Sequence, residues 1–152
     1  MRRSRSTEGR RDVAGWKRLD HTADLALEAW GGTPEEALEA LCTGLLRQIT
    51  DPERVRPLEA TPLLVEGMDR EEAVVGFLGE LLYQIYGKGQ LFNHVAVHSV
   101  GTRNIRGEAW GEPRDPSRHT LDLEVKAATY YDLRFERDSE TGGWRIRVVF
   151  DV

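Results

Sequence analysis

The sequence predicts a single α+β domain, in which about seven or eight strands form mostly antiparallel sheets and two helices pack on them. Three observations carry this reading. The chain has 152 residues, the length of one ordinary domain. Two segments, introduced by Thr33 and by Asp69, repeat their apolar residues at helical spacing behind a capping signal. The remainder, above all everything after Leu91, alternates apolar and polar residues between turn-rich stretches. No regular strand–helix–strand alternation announces a parallel sheet.

Taken in order, residues 16–19 read as a short strand. A turn follows at Asp20, His21 and Thr22, and residues 23–30 then alternate with Leu25, Leu27 and Ala29 on one face. Gly31 and Gly32 close that strand. Thr33 can cap a helix, Pro34 suits its first position, and Glu36 completes a capping box. The helix buries Ala37, Leu38, Leu41, Leu45 and Ile49 and stops at Asp51–Pro52. Residues 55–66 read as extended, with an irregularity expected around Pro57 and Pro62. Asp69 and Glu72 repeat the capping spacing, and the second helix turns Ala73, Phe77, Leu81 and Ile85 inward until Gly87 and Gly89 end it. Strands are expected at 92–100, 104–111, 120–126, 129–137 and 144–150, separated by turns such as Glu112–Pro113–Arg114–Asp115 and Thr141–Gly142–Gly143. The last strand runs almost to the final residue, so Asp151 and Val152 should be ordered.

Composition narrows the function classes. At 39% hydrophobic and 31% charged residues the chain reads as a soluble globular protein. No run approaches the roughly 18 apolar residues of a membrane span. The basic N-terminus has no apolar stretch behind it, so no secretory signal is read there and the cytoplasm is the expected compartment. A single cysteine, Cys42, excludes an internal disulfide and a cysteine zinc site. The net charge of −5 is unevenly spread. Residues 1–12 carry five Arg against Glu8 and Asp12, a net of +3, which leaves −8 for residues 13–152. Residues 1–12 therefore read as a disordered Arg-rich tail and 13–152 as the domain. An acidic body is poorly suited to direct nucleic-acid binding, because the phosphate backbone rewards Lys and Arg.

The chain has no phosphate-cradling glycine loop, no nucleophile elbow and no histidine–glutamate zinc helix. Two polar clusters stand out instead. Asp20, His21, Thr22 and Asp24 lie between two apolar strands, and Asp151 adjoins the α-carboxylate of Val152. On residue type alone, Asp24 reads as a turn cap, a partner for Lys126 or a ligand. Asp151 reads as an exposed chain end or a ligand, and His21 as a turn residue. His94, His98 and His119 show no partner pattern, and no catalytic residue is assigned.

Four collinear stretches resemble the archease family. They are His21–Thr22–Ala23–Asp24 after a strand, Phe77–Leu78–Gly79–Glu80–Leu81–Leu82–Tyr83 in the second helix, Val125–Lys126–Ala127–Ala128–Thr129–Tyr130, and the terminal Asp151–Val152. Gly107–Glu108 also falls where the family tends to carry Gly–Glu. The similarity spans residues 16–152. Gly79 stands where the family often has Asn, and Tyr131 where it often has His. The Arg-rich stretch before Trp16 has no counterpart in the family pattern.

The resemblance implies an archease-like fold and a non-catalytic accessory protein of an RtcB-type RNA ligase, serving tRNA splicing or RNA repair. Such a protein promotes guanylylation of the ligase and its multiple turnover, with GTP and RNA reached through the ligase. It also implies a divalent cation held by Asp24, Asp151 and the terminal carboxylate of Val152, with His21, Glu80 and Lys126 on the partner-binding or functional surface. Oxygen donors are hard, which favours Ca²⁺ or Mg²⁺/Mn²⁺ over zinc. Two other readings stand beside this one. A metal-dependent phosphoesterase-type hydrolase would use the same ligands, and an RNA or protein chaperone would rest on the basic tail.

Overall fold

In the computed structural model, residues 13–19 and 24–152 are described. His21 and the Arg-rich residues 1–12 lie outside them. The described chain runs β1 (Gly15–Leu19), β2 (Leu25–Gly31), α1 (Pro34–Ile49), a 3-10 turn (Pro52–Arg54), β3 (Glu59–Glu66), α2 (Arg70–Tyr86), β4 (Gln90–Val100), β5 (Asn104–Pro113), β6 (Ala127–Ala128), β7 (Arg134–Arg137) and β8 (Trp144–Asp151). One sheet has the order β1-β2-β8-β6, with β7 also on β8, and the other has the order β3-β5-β4. Every pairing is antiparallel. The predicted fold class is the observed one.

Both capping boxes form. Thr33 Oγ1 accepts from the Glu36 N–H at 3.1 Å, and Asp69 Oδ1 from the Glu72 N–H at 2.8 Å. Each glutamate reaches back one residue beyond its cap, to the N–H of Gly32 (2.9 Å) and of Met68 (2.6 Å). At each helix start the cap thereby satisfies one orphan donor, and the glutamate ties down the residue before the cap. The predicted inward faces are the buried ones, from Ala37 to Ile49 on α1 and from Ala73 to Ile85 on α2. α1 packs against β1, β2 and β8 and also against β4, while α2 packs against β3, β4, β5 and β6. One core cluster is therefore shared by both sheets and both helices.

The edges of the three-stranded sheet are protected in different ways. On β4, the N–H groups of Val97 and Val100 donate to Glu39 and Glu35 of α1, each at 2.9 Å, so a helix closes that edge. On β3, Pro62 lies inside a regular ladder, opposite Glu108. This corrects the irregularity expected there. The N–H of Gly67 donates to Arg103, so alternation turns residue 62 away from β5 and proline forfeits no ladder bond.

Two predicted strands are corrected. Residues 120–126 form none, because their backbone bonds go elsewhere: the N–H groups of Asp122 and Leu123 donate to the carbonyls of Ile49 and Gln48 at 2.8 and 3.2 Å. The segment caps the C-terminal carbonyls of α1 instead of joining a sheet. Residues 129–137 shrink to β7, because Asp132 turns the chain with φ 54°.

Close packing also sets a stability test. A Cβ at Gly111 would collide with the carbonyl oxygen of Leu91 on β4, where backbone must move to make room. Gly111→Ala is expected to lower stability by about 2–3 kcal/mol, read as a reduced denaturation midpoint with far-UV circular dichroism unchanged at room temperature.

Candidate metal and partner site

The acidic pair is built by strand register. β2 begins at Leu25, which pairs with Phe150 of β8. The residue before one and the residue after the other are Asp24 and Asp151, so the two aspartates stand at the same end of adjacent strands. Leu25 and Phe150 are fully buried, and strand alternation directs their neighbours to the opposite face. Asp151 is accordingly exposed and Asp24 half-buried. On its other side β8 meets β6, with Ala127 opposite Asp151, and the Lys126 N–H donates to the Asp151 carbonyl at 2.8 Å. Segments more than a hundred residues apart in sequence thus converge on one sheet end.

The donor chemistry fits a hard cation. Among the described residues no three His, Cys, Asp or Glu side chains gather into a metal-holding group. The side-chain oxygens brought to this sheet end are those of Asp24 and Asp151. Two carboxylates about 4 Å apart repel by about 1 kcal/mol in water and about 4 kcal/mol near a protein surface. A cation removes that repulsion, and one that retains several waters needs few protein ligands.

Lys126 and the second-helix motif meet on the other side of the strand ends. Gly79 and Tyr83 of α2 line one groove of about 420 Å³ together with Lys126, Ala127 and Ala128. Two of the motif stretches, distant in sequence, are therefore walls of the same feature. Tyr86 holds them in place. Its hydroxyl donates to the Leu123 carbonyl at 3.3 Å and accepts from the Val125 N–H at 3.0 Å. Burial, with a smaller contribution from Glu124, raises its pKa despite the bond from Val125, which keeps the hydroxyl protonated and able to donate. Glu80, next to Gly79, does not line the groove; its carboxylate accepts from Gln84 at 2.9 Å. Cys42 is buried in the core, and burial raises its pKa far above the ordinary thiol value. It is a packing residue.

A buried ionic network escaped the sequence reading. Glu112, read there only as part of a turn, is 2% exposed and His119 is 3% exposed. The Glu112 carboxylate accepts from Arg118 (2.8 Å), from the Arg56 backbone N–H (2.9 Å) and side chain (3.0 Å), and from His119 Nε2 (3.0 Å). His119 Nδ1 accepts from the Asp115 N–H at 2.9 Å, so the ring donates through Nε2. Arg118 above all, with Arg56 and His119, holds Glu112 far below the ordinary glutamate value. Hydrogen bonds from Ser117 likewise lower Asp115. The network anchors the start of the irregular segment that leads to Lys126. No spacing rule joins residues 56, 112 and 118, and a Glu followed by Pro within a charged stretch carries no burial signal. Among the described residues the other two histidines are peripheral: His94 stacks on Trp110, and His98 Nε2 lies 3.6 Å from Glu108.

The described molecule has no helix long and apolar enough to cross a membrane. Comparison with known proteins adds the following. The Archease protein family (MTH1598/TM1083) matches residues 16–152. A protein archease of Methanopyrus kandleri is 36% identical over 140 residues, covering 90% of this chain and 99% of that protein. One from Pyrococcus furiosus is also 36% identical over 140 residues, covering 90% and 98%. The solution structure of Methanobacterium thermoautotrophicum protein 1598 superposes with a TM-score of 0.73, at 24% identity over 91% of this chain and 99% of that one. That last likeness concerns the fold.

Proposed function

The chain belongs to the archease family, and from that premise we propose that it is a non-catalytic accessory protein that promotes guanylylation and multiple turnover of an RtcB-type RNA ligase. The observation that carries the reading is the convergence of Asp24 and Asp151 at one sheet end, beside Lys126, which immediately precedes β6. Asp24 and Asp151, with the terminal carboxylate, would hold a divalent cation, Ca²⁺ or Mg²⁺/Mn²⁺. A cation there supplies positive charge to phosphate oxygens, the kind of neutralisation on which phosphoryl transfer depends.

The chain's own residues do the rest. The two aspartates present localised negative charge, and the net −8 of residues 13–152 steers encounter with the basic face of an RNA-binding enzyme. GTP and RNA then belong to the ligase, and the accessory protein acts from the cytoplasm without binding RNA strongly itself.

The test is ligation of a 2′,3′-cyclic-phosphate RNA to a 5′-hydroxyl RNA by substoichiometric ligase, with GTP and Mn²⁺. Adding the full chain is expected to raise product from about one equivalent of ligase to many. Product that stays at one equivalent with the cognate ligase sinks the accessory reading. Asp24-dependent phosphodiester hydrolysis by the chain alone would then favour the hydrolase.

A further inference from the structure

Residues 122–126 belong to no strand, and their backbone is held from outside by three different elements. The N–H groups of Asp122 and Leu123 go to the carbonyls of Ile49 and Gln48 at the end of α1, and that of Lys126 goes to the Asp151 carbonyl at the end of β8. Between these two anchors stands one side-chain hydroxyl. Tyr86, the last residue of α2, donates to the Leu123 carbonyl at 3.3 Å and accepts from the Val125 N–H at 3.0 Å. In a parallel sheet, each residue likewise donates to the carbonyl before, and accepts from the N–H after, one residue of the neighbouring strand. The Tyr86 hydroxyl makes that pair of bonds around Glu124, so it serves these residues as a strand partner would.

The residue that follows Val125 is Lys126. An ammonium on a flexible four-carbon stem is aimed only when the backbone beneath it is fixed. Of the three anchors, the one on α1 stops at Leu123, and the one on β8 rests on that strand's exposed last residue. Backbone bonds at exposed strand ends open at little cost. The anchor on Tyr86 is firmer: it comes from a helix whose inner face is buried, and Val125 beside it is fully buried. Tyr86 and Lys126 also line the same groove, so the two side chains are neighbours. A phenylalanine at position 86 would keep the ring but could neither donate to Leu123 nor accept from Val125.

Building on the accessory reading above, we propose that Tyr86 is a positioning residue for Lys126: its hydroxyl fixes the backbone at Leu123 and Val125 and so holds the lysine beside the Asp24–Asp151 end. Tyr86 acts through Lys126, not by its own contact with the partner ligase.

The experiment uses the full chain and its variants Tyr86→Phe, Lys126→Ala and the two combined. Gly31→Ala serves as a stability control, because its Cβ would press on the Ala37 backbone at the opposite end of β2 from Asp24. The first readout is hydrogen exchange. In Tyr86→Phe the Lys126 amide, whose own acceptor is Asp151, is expected to exchange at least tenfold faster. Unchanged exchange there overturns the proposal. The second readout is stimulation of a substoichiometric RtcB-type ligase. Tyr86→Phe is expected to lower it at least fivefold, and the double variant to match Lys126→Ala within twofold, as non-additivity requires when one residue acts through the other. Wild-type stimulation by Tyr86→Phe or by Lys126→Ala, or losses that multiply in the double variant, overturn the positioning role. Gly31→Ala is expected to lose at least as much thermal stability as Tyr86→Phe and to keep its stimulation within twofold of wild type. An equal loss of stimulation in Gly31→Ala assigns the effect to stability and overturns the role as well. If the wild-type chain fails to raise ligase turnover, it is the accessory reading that falls, and exchange at Lys126 still decides whether Tyr86 fixes it.

Discussion

Replacing Asp151 with alanine is expected to leave the protein folded while cutting its stimulation of a substoichiometric RtcB-type ligase by about tenfold or more, the loss typical when a metal site loses part of its support. The fold survives because Asp151 is exposed, and its structural contact is the backbone carbonyl that accepts from Lys126. Alanine keeps that carbonyl, so the thermal midpoint should move by no more than about 2 °C. What disappears is one of the two side-chain carboxylates at the sheet end. Mn²⁺ affinity, followed by electron paramagnetic resonance, should fall together with turnover, and Asp24→Asn should behave in the same way. A tag separates the role of the terminus from that of the side chain. A C-terminal extension converts the α-carboxylate of Val152 into an amide and is expected to weaken Mn²⁺ binding, whereas an N-terminal tag is not. An Asp151→Ala protein that supports as many ligation cycles as wild type removes the acidic end from the mechanism.

Glu112→Gln is expected to produce the largest change in stability, a fall in thermal midpoint on the order of 10 °C at pH 7. Glutamine keeps the shape but removes the charge that Arg118 and Arg56, both partly exposed, share at a buried carboxylate. The effect has a definite pH dependence. In the folded protein the Glu112 carboxyl titrates far below its ordinary value of 4.5. A depressed folded-state value contributes stability above the unfolded value and loses it as pH falls. The gap between wild type and Glu112→Gln should therefore be full at neutral pH and narrow progressively below about pH 4.5. A gap that stays constant from pH 7 to pH 3 would show that the charge of Glu112 does not carry the stabilisation.

Much of this architecture is local, and local features are legible in a sequence. Thr33 with Glu36 and Asp69 with Glu72 mark both helix starts, since a cap needs only residues three apart. The period of Leu38, Leu41, Leu45 and Ile49 identifies the buried stripe of α1. Alternation likewise identifies β2, β5 and β8. The two strand errors have a shared cause: alternation records which side chains are buried, not where the backbone bonds go. Residues 120–126 alternate because Leu123 and Val125 pack inward, yet the N–H groups of Asp122 and Leu123 serve the end of α1 and that of Val125 the Tyr86 hydroxyl.

The site divides along the same line. The sequence by itself carried the family resemblance and the acidic body and singled out Asp24, Asp151 and Lys126 as candidates, because those reside in residue types and short motifs. Only the tertiary structure decided that the register of β2 on β8 sets the two aspartates side by side, while Lys126 joins Gly79 and Tyr83 across a groove. It alone decided that Arg56, Arg118 and His119 converge on one buried carboxylate, that of Glu112. The reason is physical. Strand pairing and burial depend on contacts among segments far apart along the chain, and the energy of a buried charge depends on neighbours that no local spacing specifies.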